Sequence, residues 1–551
     1  MLDKIMNGIL FLLYTTSTVA ISGNTFVFDN IIYPKWLCCL CTIAFLSALC
    51  AAKKLLTNKK QEKKVALNTY LILSYIIILS VLLFRDLDAF IKVFAFTALY
   101  FYFYTMNNKC SHVMRNAIIV AGLFNAFVGF YQYIQGNNLI TGTYDSHVGA
   151  SLSIALAIIT MFHYGFISNK SSMTKTVSII CSLLLASIII LSGSRVGILT
   201  LAVYFSISAF KKKILLFSFI TLVSCISLLF KSESTKGRYF IYKTTLSVLD
   251  TPKSILIGKG KNGFKKYYML CQAQQLEKES ENVRFRADNI KHPLNDFLLL
   301  YVNYGIIFTL LCMIALLWIL VHLPKGSIYC HLLTTIIVYS IFAYPFHYPI
   351  TWMVLTWILA NIKSQPHTSI GIDYRIIEIW NAAVFLLLFN NLTKSLSFQK
   401  SWNKAQNMCY IGLTEKANNI YKSISKQTEL DVFHYNYASF LNKYGMKDEA
   451  SIEIEKCGIT DYNTELLRGK ISESNRHFSQ ALYHYEQASR MCPNRFTPLY
   501  YMFCIYDTVG NYGMRNKIAH SIMNKKVKIE STEINIIKKR VGYALHEAPL
   551  K

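Results

Sequence analysis

Charge is what this chain of 551 residues has little of, with Asp, Glu, Lys and Arg making up only 16% of it. A soluble chain of this length would carry nearer a quarter. With 53% of residues hydrophobic, the deficit argues against an ordinary water-soluble protein. Acidic side chains are scarcest, 30 against 57 basic ones, for a formal net charge of +27. Zinc-type spacing is absent among the 14 cysteines; Cys38, Cys39 and Cys41 fall inside one apolar stretch and read as small apolar residues. A small-residue cleavage site is missing after the first apolar stretch, near 5–21, which therefore reads as a retained helix rather than a secretory signal. In a soluble protein the positive balance would point to nucleic acid. Here much of the Lys and Arg falls in short loops between apolar blocks, where it orients the chain, so no nucleic-acid partner is expected.

What the sequence has instead is a series of apolar blocks, each long enough to cross roughly 30 Å of hydrocarbon. They fall near 5–22, 34–52, 65–84, 89–106, 114–135, 147–167, 175–192, 196–210, 213–231, 295–322, 329–345 and 347–363, with a shorter thirteenth at 376–391. The expected fold class is an all-α polytopic membrane protein of about 12–13 transmembrane helices, with a large outer loop at about 232–294 and a soluble helical-repeat domain behind it. The expected domains are 1–391 and 392–551. Orientation follows from the loops. Lys53–Lys64 is strongly basic and should face the cytoplasm, as should Asn107–Arg115, Asn169–Lys175 and Lys211–Lys213, which also carry Lys or Arg. The alternate loops at 23–33, 85–88 and 136–146 are poor in them. The N-terminus is then cytoplasmic and the long loop lies outside. Between Ser232 and Lys291 that loop holds 12 basic and 6 acidic residues, a net charge of +6, which suits an anionic substrate. The stretch 376–391 contains Glu378 and only 12 apolar residues. It reads as crossing, which places the tail outside.

The tail changes character, with amphipathic helices and no span-length apolar run. Gly469, Ala481, Tyr485, Ala488 and Pro493 fit the small, aromatic and proline positions of a 34-residue helical-hairpin repeat. Tyr437, Ala438, Leu441, Gly445, Ala450 and Ile454 form an earlier copy, and a weaker one runs from Leu499 through Tyr506 to Ala519. The pattern looks like a tetratricopeptide module of about three to four hairpins. An unrelated helical bundle is the plainer reading of the same residues.

Three short segments carry candidate chemistry, all on the expected outer side. The first is Leu-Ser-Gly-Ser-Arg-Val-Gly at 191–197, a tight junction between two spans that holds Arg195 at the membrane edge. The second, Gly237-Arg238-Tyr239, opens the outer loop and runs on through Tyr242, Asp250 and Pro252 to Ile257-Gly258-Lys259-Gly260 and Phe264. The third, Lys291-His292-Pro293-Leu294-Asn295-Asp296, closes the loop and runs into Asn303-Tyr304-Gly305. Taken singly, Arg195 reads as a snorkelling arginine, Arg238 as a solvated loop charge and His292 as an interfacial residue. Taken together, two arginines and a histidine flank one basic loop. Histidine is also the right type for a general base near neutral pH.

The segments SGSRVGI at 192–198, GRYFIYKTTLSVLDTPKSILIGKGKNGF at 237–264 and HPLNDFLLLYVNYGI at 292–306 resemble the O-antigen ligase superfamily, over roughly residues 115–365. That group comprises O-antigen ligases, O-antigen polymerases and protein O-oligosaccharyltransferases. Thr141–Gly149 resembles a further outer loop of these proteins, and members with a tetratricopeptide tail behind an extra span exist. The resemblance implies a multi-pass protein of the bacterial inner membrane with a periplasmic loop and a periplasmic C-terminal domain. It implies transfer of a glycan from a polyprenyl-diphosphate-linked donor to an acceptor hydroxyl on lipid A-core, growing polysaccharide or protein. Arg195 and Arg238 would bind the diphosphate, since guanidinium groups pair with phosphate oxygens. His292 would activate or orient the acceptor. Lys259, Lys261, Arg284 and Arg286 would add positive potential, and Asn295 belongs to the same substrate-binding set. No cofactor or metal is implied. Other partners would be membrane lipids and a protein engaged by the repeats. Many relatives carry a second histidine where this chain has Leu294, which bears on the role given to His292. His147 and His347 read as packing or interfacial residues.

Two other classes compete. A flippase for lipid-linked glycans should show charges near the middle of its spans, whereas here they cluster at span ends. A non-catalytic anchor displaying an interaction module leaves the basic loop and its flanking segments unexplained.

Overall fold

The computed structural model of the protein describes residues 2–22, 27–56, 64–106, 108–167, 171–208, 232–362 and 369–546. The expected span 213–231, the loop Lys211–Lys213 and residues 57–63 of the basic segment lie outside these residues. A chain that crosses hydrocarbon must satisfy its backbone polar groups internally, which favours helices. The apolar blocks are helical accordingly: α1 (Leu2–Val19), α2 (Ile32–Leu56), α3 (Thr69–Arg85), α4 (Leu87–Met106), α5 (Asn108–Ile134), α6 (His147–Phe162), α7 (Ser172–Leu191) and α8 (Arg195–Ser208). The loop 232–294 holds α9 (Ser232–Ser247), α10 (Pro252–Ile257), α11 (Gly263–Leu276) and α12 (Glu281–Arg286), and after it come α13 (Asp296–His322), α14 (Ile328–Phe342), α15 (Pro349–Ala360) and α16 (Tyr374–Tyr410). Among the described residues, seven helices are long and apolar enough to cross a membrane, and four shorter apolar helices accompany them. The protein is a multi-pass, all-α membrane protein.

Three of the expected spans differ in detail. The one at 65–84 opens with a strand: β1 (Lys64–Asn68) pairs antiparallel with β2 (Ser369–Asp373), Ala66 opposite Gly371, so the helix begins only at Thr69. The one at 147–167 ends as a π-helix over His163–Ile167. The one at 295–322 is interrupted at Gly305, whose φ of 86° no helix accommodates.

The chain divides into two compact units. The first comprises Met1–Ser232, Leu294–Leu300 and Ile306–Asn403. Its central helix is α6, buried along nearly its whole length against α5, α7, α8 and α14. Small residues allow that density: a Cβ on Gly122 would sit 2.2 Å from the Ala157 Cβ.

The second unit comprises Glu233–Pro293, Tyr301–Gly305 and Lys404–Lys551. It joins the loop segment 233–293 to the tail in one compact body. The tail consists of α17 (Thr414–Ser425), then the pairs α18 (Asp431–Lys443) with α19 (Lys447–Glu455), α20 (Tyr462–Ser474) with α21 (Phe478–Met491), and α22 (Thr497–Thr508) with α23 (Tyr512–Asn524), closed by α24 (Thr532–His546). Each pair packs on the next. Gly469 is glycine for a steric reason: its Cβ would lie 2.4 Å from the Tyr485 ring, which is fully buried with Ala481 and Ala488.

Candidate functional site

In the second unit the loop is organised around glycine. Lys259 N donates to Val302 O (2.8 Å) and Gly260 N to Asn303 O (2.9 Å), a short ladder between the Gly-Lys-Gly segment and the interruption of α13. Asn303 Oδ1 accepts from Phe264 N at the start of α11 (3.2 Å). A Cβ on Gly258 would meet the Asn303 carbonyl carbon at 2.5 Å, and one on Gly305 would meet Leu256 O at 2.2 Å. Both glycines have positive φ as well. Two segments more than forty residues apart are thus locked backbone to backbone, which only glycine permits.

Arg238 lies half-buried on α9, two residues before Phe240. Phe240 packs with Leu276 of α11 and Ala287, which fixes α9 against the segment leading to His292. His292 is half-buried, and the buried Pro293 follows it. Leu294 has a φ of 56°, a left-handed conformation that is costly for a branched side chain. Lys259 is engaged by Asp250 (2.5 Å), and its ammonium stands 5.2 Å from the centre of the Tyr267 ring. That hydrogen bond holds the Asp250 carboxyl below the ordinary carboxylate range. Lys261, Arg284 and Arg286 are exposed, the two arginines in the last turn of α12. Three of the loop's acids are answered by cations of the tail: Glu277 by Arg490, Glu281 by Lys526 (3.5 Å) and Asp288 by Arg495 (2.9 Å). Positive charge therefore accumulates across this unit.

Arg195 belongs to the first unit, as the first residue of α8. Gly193, at φ 67°, makes the turn before it. Ser194 is buried, donates to Ser151 Oγ (2.8 Å) and accepts from Gly197 N (3.3 Å); Tyr339 OH also donates to Ser151 Oγ (3.1 Å). Gly197 lets α8 approach α7, since its Cβ would come 2.6 Å from Ile189. The guanidinium is thereby mounted on a rigid turn. The partial positive charge of the helix N-terminus adds to its field, an arrangement that favours anions. Asn295 is used as a cap, its Oδ1 accepting from Leu298 N (3.0 Å) at the start of α13.

The same end of the first unit holds further polar residues, of which the sequence reading gave Lys35, Asp145, Ser146 and Tyr348 no individual role. Lys35, in the first turn of α2, is fully buried and donates to Thr18 O (2.9 Å), Ala20 O (2.9 Å) and Thr143 Oγ1 (3.4 Å). Tyr348 OH donates to Asp145 Oδ1 (2.8 Å) and lies 2.9 Å from Ser146 Oγ. His347 Nε2 stands 3.9 Å from Asp145 Oδ2. Asp296, also buried, accepts from Phe346 N (3.2 Å). Ser146 caps α6, of which His147 is the first residue. The available signal was one charged residue at the mouth of an apolar block, repeated in three blocks. No family model matches the chain, and no curated protein does either.

Proposed function

We propose that the protein is a membrane glycosyltransferase of the O-antigen ligase type, acting at the outer face of a bacterial inner membrane. The acceptor hydroxyl oxygen attacks the anomeric carbon of a polyprenyl-diphosphate-linked glycan. The bond from that carbon to the phosphate oxygen breaks, and the diphosphate leaves with the electron pair. The guanidinium groups of Arg195 and Arg238 bind the diphosphate and stabilise the charge that develops on it. His292 takes the hydroxyl proton or orients the hydroxyl. Lys261, Arg284 and Arg286 raise the local concentration of the anionic donor.

The observation that carries this reading is the ordered state of the basic loop. It is held by a glycine-mediated backbone ladder and a core of its own, and Arg238 and the His292 segment emerge from that core. A linker that merely joined spans would need neither. Loop and tail on one side require an even number of crossings between them, and two of the intervening helices, α13 and α16, are long and apolar enough to cross. We read the tail as a tetratricopeptide array, on the Gly469–Tyr485 contact and the stacking of its hairpins.

Purified protein in detergent, given a polyprenyl-diphosphate glycan and an acceptor, should transfer the glycan. Arg195→Ala, Arg238→Ala and His292→Ala should each lower transfer by about a hundredfold or more at normal membrane expression. Parental activity in all three variants would end the proposal, and a flippase would show no transfer from any of them.

A further inference from the structure

The short helix α12 ends six residues before His292, and a helix end leaves its last carbonyls without helical partners. Here four consecutive carbonyls each accept a side-chain donor. Phe285 O and Ala287 O accept from Asn494 Nδ2 (3.1 and 2.6 Å). Arg286 O accepts from Lys528 Nζ (3.1 Å), and Asp288 O from Gln272 Nε2 (3.0 Å). Gln272 Nε2 also donates to Met491 O (2.9 Å), and Gln272 and Asn494 are both buried. One residue further on, Asn289 Nδ2 donates to Asp461 Oδ2 (3.2 Å). Asn494 comes from the turn between the second and third helix pairs of the tail and Lys528 from the turn before α24, and Asp461 caps α20. Earlier along the loop the same edge of the tail is used again: Asn262 Nδ2 donates to Asp431 Oδ2 (3.2 Å), and Thr460 N to Lys265 O (3.4 Å).

Donors that grip main-chain carbonyls fix the register of a segment whatever its side chains are. A segment held at 285, 286, 287, 288 and 289 leaves little freedom at 292. We propose that the tail is a positioning element for the transferase site. Its turns hold the main chain of 285–287 and the Asn289 side chain and thereby set His292, with Asn494 as the principal positioning residue. This rests on the role given to His292 above. It also means that the turn edge of the tail is occupied by the chain's own loop.

The test uses the full-length protein. Asn494→Asp keeps the side-chain shape but removes both donors. Amide exchange over 285–293 should speed up by about tenfold or more, the size expected when buried carbonyls lose their partners. Exchange over 462–489 should stay as in the parent. Transfer should fall through kcat with the donor KM unchanged, and the alkaline and acid limbs of the pH–rate profile should move, which a purely structural role would not cause. Should Asn494→Asp disturb the hairpins themselves, Lys528→Met on the exposed side of the grip replaces it, with the same expectation at smaller size. Unchanged exchange over 285–293, or parental kcat despite faster exchange, would overturn the positioning role alone. No transfer by the parent protein would remove the glycosyltransferase reading, and the positioning role with it.

Discussion

Lys35 shows what a single charge does inside a bundle of this kind. A buried ammonium is tolerated only when its donors are met. Its three protons find the carbonyls of Thr18 and Ala20 and the hydroxyl of Thr143, and its charge lies 4.9 Å from the centre of the Tyr144 ring. The two carbonyls lie where α1 runs out, so the lysine ties the end of one helix to the start of the next and to the 141–146 loop. Its partners are main-chain and hydroxyl oxygens at a helix end, and no substrate path at mid-bilayer is needed to account for it. Lys35→Met keeps the apolar stem and orphans the two carbonyls. It should cost about 2–5 kcal/mol, read as a lower thermal unfolding midpoint in detergent. A midpoint equal to the parent's would show that the ammonium holds nothing. The role of this residue was not legible beforehand, because a lysine at the mouth of an apolar block looks the same whether it snorkels outward or turns in.

At the scale of elements, the apolar blocks were legible because length and hydrophobicity alone demand a helix in lipid. Breaks within them were not. The run Phe297–Phe308 is apolar but for Asn303, and only its contact with Lys259–Gly260 reveals why the helix breaks at Gly305. The 257–264 and 292–306 segments were each visible as motifs, but their mutual grip depends on backbone atoms that carry no sequence signature. The strand β1 was hidden in the same way, since its partner lies some three hundred residues away. The grip of the tail on the loop rests on single Asn, Gln and Lys donors with no periodicity. Gly305→Ala probes the first of these contacts. The added Cβ meets Leu256 O, and the φ of 86° is unfavourable for alanine. A loss of about 2 kcal/mol or more is expected, with protease cleavage opening in 250–264. Resistance to cleavage equal to the parent's would show that the ladder does not hold the loop.

Across the whole molecule, a chain of net charge +27 depends on its few acids. In the second unit several are buried and paired. Burial alone would raise the Glu453 carboxyl, but the hydrogen bonds from His434 (2.6 Å) and Lys456 (2.7 Å) bring it below its ordinary value. Glu465 is lowered against burial in the same way by His484 (2.8 Å) and Arg468 (2.7 Å), and Asp288 by Arg495 and the Asn289 amide. A carboxyl whose folded value lies below its unfolded one binds fewer protons when folded. The stability it adds is complete above the unfolded value, about pH 4, and is lost as pH falls through the folded value. Protonation also adds to a net charge that is already positive, so repulsion rises as attraction goes. Asp288 is the most exposed of the three and contributes least. Acidification from pH 5 to 3 should therefore open the tail hairpins, seen as faster amide exchange over 431–491. Glu453→Gln, which cannot lose a charge, should flatten that dependence while lowering stability at pH 7. Exchange that is independent of pH across this window, once corrected for intrinsic rates, would show that these carboxylates do not hold the hairpins together.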